Sequence, residues 1–277
     1  MGWEKKFRNI LKNFVLIVLA IILGVVTLNL PTINSVKAFA EENVVKKIVN
    51  IKVTRGMESL ELENGSEYYE KNINNENKDI IEKWLKQARE DTSIVFDIND
   101  EYKVDIVIFN SEDEFMEALE ININDVAAIY LNDTIYMYKG SIKGRNIIHE
   151  YAHHIVNYYC KENDINKYNI PTWFEEGVAE YTSMIHNEGE LIYVVDIDKK
   201  VDFRNLGNSN EEISNMINDG YNIYGQSYLV IKEIVKEKGI DVIMNILNDS
   251  KYMEFYTAFE KNVGRSIEEV TDNLKEV

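Results

Sequence analysis

Hydrophobic positions change their period along the chain, and the changes mark out elements. Phe14 to Leu28 is an uninterrupted run without charge. Residues 44 to 54 alternate around Val45, Ile48, Ile51 and Val53 and predict an irregular early strand. From Glu76 to Arg89, apolar residues at Ile80, Ile81, Trp84, Leu85 and Ala88 recur at helical spacing. Lys103 to Phe109 is β-branched and reads as a buried strand. Ser111-Glu112-Asp113-Glu114 has the order of a capping box and opens a helix through about Ile121. Val126 to Leu131 and Thr134 to Tyr138 flank the two-residue turn Asn132-Asp133, which predicts a hairpin. After Gly140 the period is helical: Ser141 to Cys160, Thr172 to Ile185 beyond Pro171, Ile223 to Glu237 before Gly239, Asp241 to Leu247, Met253 to Lys261, and a last helix capped by Ser266. Leu191 to Val195 reads as a short strand or a loop edge. Strands come first and helices follow, so the class is α+β, with a sheet-rich part over 41–140 and a helical part over 141–277.

Charge separates the first forty residues from the rest. The 277-residue chain has 30 Lys plus Arg and 48 Asp plus Glu, a formal charge of −18. Residues 1 to 40 hold five of the cations (Lys5, Lys6, Arg8, Lys12, Lys37) and one acid (Glu4), which leaves 25 against 47, or −22, for the remainder. Such acidity excludes binding nucleic acid through bulk phosphate neutralisation and favours cationic over acidic substrates. A basic stretch, an apolar run and Ala38-Phe39-Ala40 follow the order of an export signal, so cleavage is expected after Ala40 and the protein outside the cell. An uncleaved anchor is the alternative, since Phe14 to Leu30 is nearly long enough to span a bilayer. Cys160 is the sole cysteine, which rules out an internal disulfide. No segment has the spacing of a calcium loop.

The chemistry concentrates in His149-Glu150-Tyr151-Ala152-His153. Residues four apart share a helix face, so the two imidazoles can converge on one zinc ion, with Glu150 placed to act as a general base on water. Catalytic zinc usually takes a third protein ligand. Pro171 to Tyr181 offers one. Thr172 with Glu175 has the spacing of a capping box, which occupies Glu175 and leaves Glu176 to face the metal. Gly177 inside a helix costs about 1 kcal/mol relative to alanine, a cost that close approach to the His149 helix would justify. Glu180, one turn after Glu176, is placed to accept the outer N–H of a ligand histidine.

His149 to His154 (HEYAHH), followed 23 residues after His153 by Glu176 in Trp173 to Tyr181 (WFEEGVAEY), resembles the gluzincins, specifically the compact peptidase-MA-like zinc metallopeptidases. The resemblance spans roughly residues 126 to 260. It implies a zincin-like fold, His149, His153 and Glu176 as zinc ligands, Glu150 as catalytic base, and an edge strand that binds an extended peptide above the active-site helix. Thr134 to Tyr138 is the expected substrate-pairing edge; an ordinary hairpin is the alternative. The family also implies a tyrosine that stabilises the oxyanion, here Tyr224 in Tyr224-Gly225-Gln226-Ser227-Tyr228, with Tyr221 and Tyr228 as alternatives.

Other residues are set aside. Arg55 to Ser59 is similar to a stretch with which aminopeptidases grip a substrate amino terminus, but it lies about 90 residues before His149, so an endopeptidase is expected rather than an aminopeptidase. His154 points to a different helix face from His153, His186 fits no third-ligand spacing, and Cys160 reads as a small core residue. The alternatives are a surface protein whose zinc is structural and a membrane-tethered processing factor for one partner.

Overall fold

Helices carry most of the residues that the computed structural model describes, which are 53–98, 102–121, 126–186, 197, 199–206 and 210–274. Every element below lies in the compact unit Gly56–Val277. The strands are β1 (Glu58–Glu61), β2 (Glu67–Glu70), β3 (Asp105–Phe109), β4 (Ala128–Leu131) and β5 (Thr134–Tyr138). The helices are α1 (Asn75–Phe96), α2 (Glu112–Ala118), α3 (Gly144–Glu162), α4 (Thr172–Met184), α5 (Asn210–Asn218), α6 (Ile223–Lys238), α7 (Val242–Asp249), α8 (Phe255–Val263) and α9 (Ile267–Asp272). This is the expected α+β class, with one mixed sheet and a largely helical second part. Of the strand predicted over 44–54, residues 44–52 lie outside the described residues, while Val53 is helical and Thr54 lies in a turn, so the strand does not extend to them. The predicted strand at 191–195 and the export signal also lie outside the described residues.

The sheet order is β1-β2-β3-β5-β4, with β2, β3 and β5 parallel and the outer strands antiparallel to their neighbours. β5 therefore lies inside the sheet and β4 forms its edge, which corrects the assignment of Thr134 to Tyr138 as the edge. Burial explains the exchange: Ile135, Tyr136 and Met137 are fully covered, as an interior strand must be, whereas Leu131 at the end of β4 is exposed. Asn132 and Asp133 have φ of 58° and 59°, the left-handed pair of a type I′ turn, which sets the register of the hairpin.

Buried polar residues account for the underestimated length of α1. Asp91 and Thr92 break the apolar period after Arg89 yet are buried, Thr92 by returning its hydroxyl to the Ala88 carbonyl at 2.7 Å. α2 is shorter than expected, because Glu120 turns left-handed with φ 55°. Its capping box is half formed: Ser111 accepts from the Glu114 amide, but Glu114 Oε2 turns to the Asn110 amide. α9 has the full box between Ser266 and Glu269.

The core lies where α3 is sandwiched. α1 supplies Ile81, Leu85 and Ala88, α3 supplies Ile147, Ile148, Tyr151 and Ile155, and α4 supplies Trp173, Phe174 and Val178, all buried. Trp173 packs among Phe203, Phe255 and Phe259 and donates its indole N–H to the Tyr256 hydroxyl at 3.2 Å. An aromatic anchor of this size fixes the start of α4. Gly177 sits where a Cβ would come within 2.7 Å of the Ser227 carbonyl oxygen and 2.8 Å of Ile231 Cγ1. The close approach that it permits is therefore to α6, not to the His149 helix as the sequence suggested, and it joins α4 to the helix that carries Tyr224.

Candidate active site

α3 presents two adjacent faces to two partners. Arg145, His149 and His153, at four-residue spacing, look toward α4; Glu150, His154 and Asn157 look toward β4. On the first face, His149 Nε2 lies 3.2 Å from His153 Nε2, and Glu176 Oε2 lies 3.3 Å from each. All three side chains are partly solvent-accessible, so the cluster can be reached from outside. Ligand bonds of about 2.0–2.2 Å at tetrahedral angles place donor atoms about 3.3–3.5 Å apart. Two imidazole nitrogens and one carboxylate oxygen at these separations fit a zinc ion.

His149 is held from behind. Its Nδ1 lies 3.3 Å from Glu180 Oε1, and the other Glu180 oxygen takes the Arg145 guanidinium at 2.5 Å. Nδ1 is thereby held as an N–H donor, which leaves Nε2 as the nitrogen that a metal would take. Arg145 was not singled out in the sequence; its signal was the spacing four residues before His149, on the same face.

Burial raises the carboxyls of this site, and their neighbours decide the outcome. For Glu176, burial is outweighed by the charge of His153 and by hydrogen bonds from His149 and His153, so its pKa falls far below the usual carboxylate range. For Glu180, bonds and charge from His149 and Arg145 outweigh burial and lower it to about 2. For His149, burial disfavours the charge, but Glu176 and Glu180 overcome this and raise its pKa well above 6.5. Glu150 goes the other way. Burial raises its pKa above 4.5, against the opposing charges of His149 and His153 and the bond from Tyr130. That bond is the backbone N–H of Tyr130, 2.6 Å from Glu150 Oε2. Tyr130 was also absent from the sequence reading, one tyrosine among 17 with no spacing to distinguish it.

Tyr224 sits half-buried in the first turn of α6, one turn before the Ser227 that Gly177 abuts. Tyr221 precedes the helix, and Tyr228 packs on Tyr181 with ring centroids 6.5 Å apart. Glu175 is not a capping residue: the N-cap is Pro171, which puts Thr172 one position inside α4, and Glu175 pairs with Lys167 at 3.2 Å. His154 is buried against Tyr130; His186 pairs with the buried Asp91 at 2.5 Å. Cys160 is buried, and burial pushes its thiol up to about 12. Glu58 and Ser59 begin β1, on the sheet edge opposite β4. Among the described residues no helix is long and apolar enough to cross a membrane.

A mixed sheet beside a helix with paired histidines, and a second helix that supplies a carboxylate, are features of zincin-like peptidases. The chain belongs to the Peptidase MA superfamily, which it matches over residues 101–275. It is also similar to the uncharacterized protein YhcO of Bacillus subtilis (strain 168), 26% identical over 147 residues. The match covers 51% of this chain and 41% of YhcO, so the chain spans less than half the length of that relative.

Proposed function

We propose that the protein is an exported zinc-dependent peptidase of the gluzincin type, and an endopeptidase rather than an aminopeptidase. The convergence of His149 Nε2, His153 Nε2 and Glu176 Oε2 at 3.2–3.3 Å, with Glu150 one residue along α3, carries this reading. Those three residues would hold the zinc, which when bound supplies Lewis acidity to the scissile carbonyl and acidifies water there.

Glu150 takes the proton of the attacking water and returns it to the leaving amine. Burial raises its pKa, which makes it a stronger base than an exposed glutamate, and the Tyr130 amide holds one of its oxygens in place. Glu180 keeps His149 oriented, and Arg145 keeps Glu180 ionised. Tyr224 donates its hydroxyl to the carbonyl oxygen as charge develops there. The substrate binds extended along the outer edge of β4: the amide of Tyr130 points away from β5 and toward Glu150, so that edge lies on the side of the general base. Export follows from the basic and apolar amino terminus, with cleavage after Ala40.

The test pairs a metal assay with a cleavage assay. Glu150→Gln is expected to bind one zinc per chain as the unaltered protein does and to lose cleavage of casein or a peptide library by at least about 10²-fold. A chelator abolishes the activity of the unaltered chain, and zinc restores it. Turnover retained by Glu150→Gln would overturn the mechanism.

A further inference from the structure

The second face of α3 carries a cluster that the proposed reaction does not use. The hydroxyl of Tyr130 donates to Asp133 Oδ1 at 3.0 Å and accepts from Asn157 Nδ2 at 3.2 Å. It also lies 3.3 Å from His154 Nδ1. A phenol has one proton to give, so with that proton on Asp133 the His154 Nδ1 must be the donor. His154 is buried, its ring tilted 59° against that of Tyr130 with centroids 5.4 Å apart, and its Nε2 has no hydrogen-bond partner among the described residues. In the tautomer that Tyr130 requires, this nitrogen is a bare lone pair, which costs less to bury than an N–H. The imidazole thus holds the phenol, with the same Nδ1 lying 3.6 Å from Asp133 Oδ1.

The position of the phenol gives that task a purpose. Glu150, His154 and Asn157 form one stripe of α3, at i, i+4 and i+7. Tyr130 meets the stripe twice: its amide binds Glu150 and its side chain binds His154 and Asn157. β4 is an edge strand, paired on one side only, and edge strands fray unless something else fastens them. Resting on the peptidase reading above, we propose that Tyr130, His154 and Asn157 form a clasp that fastens β4 to α3 and so keeps the Tyr130 amide on Glu150, making them positioning residues for the general base. Asp133, in the hairpin turn, takes the remaining phenol bond and ties the clasp to the end of the strand.

Tyr130→Phe removes the hydroxyl and leaves the ring and the amide. Asn157→Ala, at a half-buried position, removes one donor and guards against a folding defect in the first variant. In the full chain supplied with zinc, each variant is expected to lower kcat about tenfold, a fraction of the 10²–10⁴ that general base catalysis supplies, with a smaller rise in KM because β4 also pairs with the substrate. In a Glu150→Asp background, whose shorter side chain withdraws from the Tyr130 amide, Tyr130→Phe should cause no further loss. A rise in KM with kcat unchanged, or losses that multiply in the double variant, would overturn the proposal.

Amide exchange of segment 128–131 tests the clasp without any assay of activity. It should be slow in the unaltered chain and faster in Tyr130→Phe, Asn157→Ala and Glu150→Ala, while His153→Ala leaves it slow. Unchanged exchange in the first three overturns the clasp. If exchange responds as expected but the unaltered, zinc-loaded chain cleaves no peptide, the clasp stands as a structural device, while the peptidase reading and the positioning role built on it fall.

Discussion

Glu180 Oε1 lies 3.3 Å from the Nδ1 of His149, one helical turn beyond the carboxylate of Glu176 that faces the same imidazole's other nitrogen. Two acids of one helix therefore address opposite sides of one ring. Glu180→Gln keeps the volume and weakens the acceptor, so zinc affinity should fall about 10- to 100-fold, and the melting temperature of the metal-free chain should fall as well, because Arg145 and His149 lose their shared anion. Competition against a chromophoric chelator measures it, and equal affinity would remove Glu180 from the site.

The acid–imidazole contacts make opposite demands on pH with and without metal. The pKa of His149 is raised above 6.5 in the folded, metal-free chain, so its contribution to stability is complete below 6.5 and is lost as pH rises through the raised value. Glu176 is lowered from 4.5, so its contribution is complete above 4.5 and is lost as pH falls through the lowered value. The pair thus supports the metal-free fold most fully between pH 4.5 and 6.5. Zinc requires neutral imidazole and must displace that proton. The rise in melting temperature on adding zinc should therefore grow from pH 6 to pH 8, with proton release detectable by calorimetry in buffers of different ionisation enthalpy.

Gly177→Ala should destabilise the protein by about 1–3 kcal/mol, because the new methyl meets the backbone carbonyl of Ser227, which cannot rotate away. Since Gly177 adjoins Glu176, zinc affinity should fall as well. Urea titration and metal competition on the same variant measure the two effects.

Tyr224→Phe should retain zinc and lose about 10²–10³ in kcat, the effect of removing one oxyanion donor. If kcat holds, Tyr221→Phe and Tyr228→Phe are the variants to compare, and a loss confined to one of them assigns the hydroxyl.

What could be read in the sequence was what lies within one or two turns of a helix. His149 and His153 announce a shared site because four residues span one turn, and Glu176 and Glu180 follow the same rule on α4. The type I′ turn at Asn132-Asp133 was equally local. Strand order was not legible: nothing within Thr134 to Tyr138 says whether another strand flanks it on both sides, and that decided which strand forms the edge. β1 and β2 escaped notice because each is four residues long and bounded by glutamates. The roles of Tyr130 and Arg145 depend on contacts across 20 and 35 residues; the four-residue spacing from Arg145 to His149 gives the shared face of Arg145 but not its partner, and Tyr130 has no local period at all.

The two faces of α3 have a further consequence for descent. One face, through Arg145, His149 and His153, meets α4; the other, through Glu150, His154 and Asn157, meets β4 and its turn. Changes in a four-residue strand and its turn then act first on Glu150, and on the donor atoms of the adjacent face only through it. If the site works as proposed, a lineage built on this plan could shed hydrolysis while still holding metal, so the histidines and Glu176 alone would not identify a working enzyme among its kin. The strand beside them has to be read too.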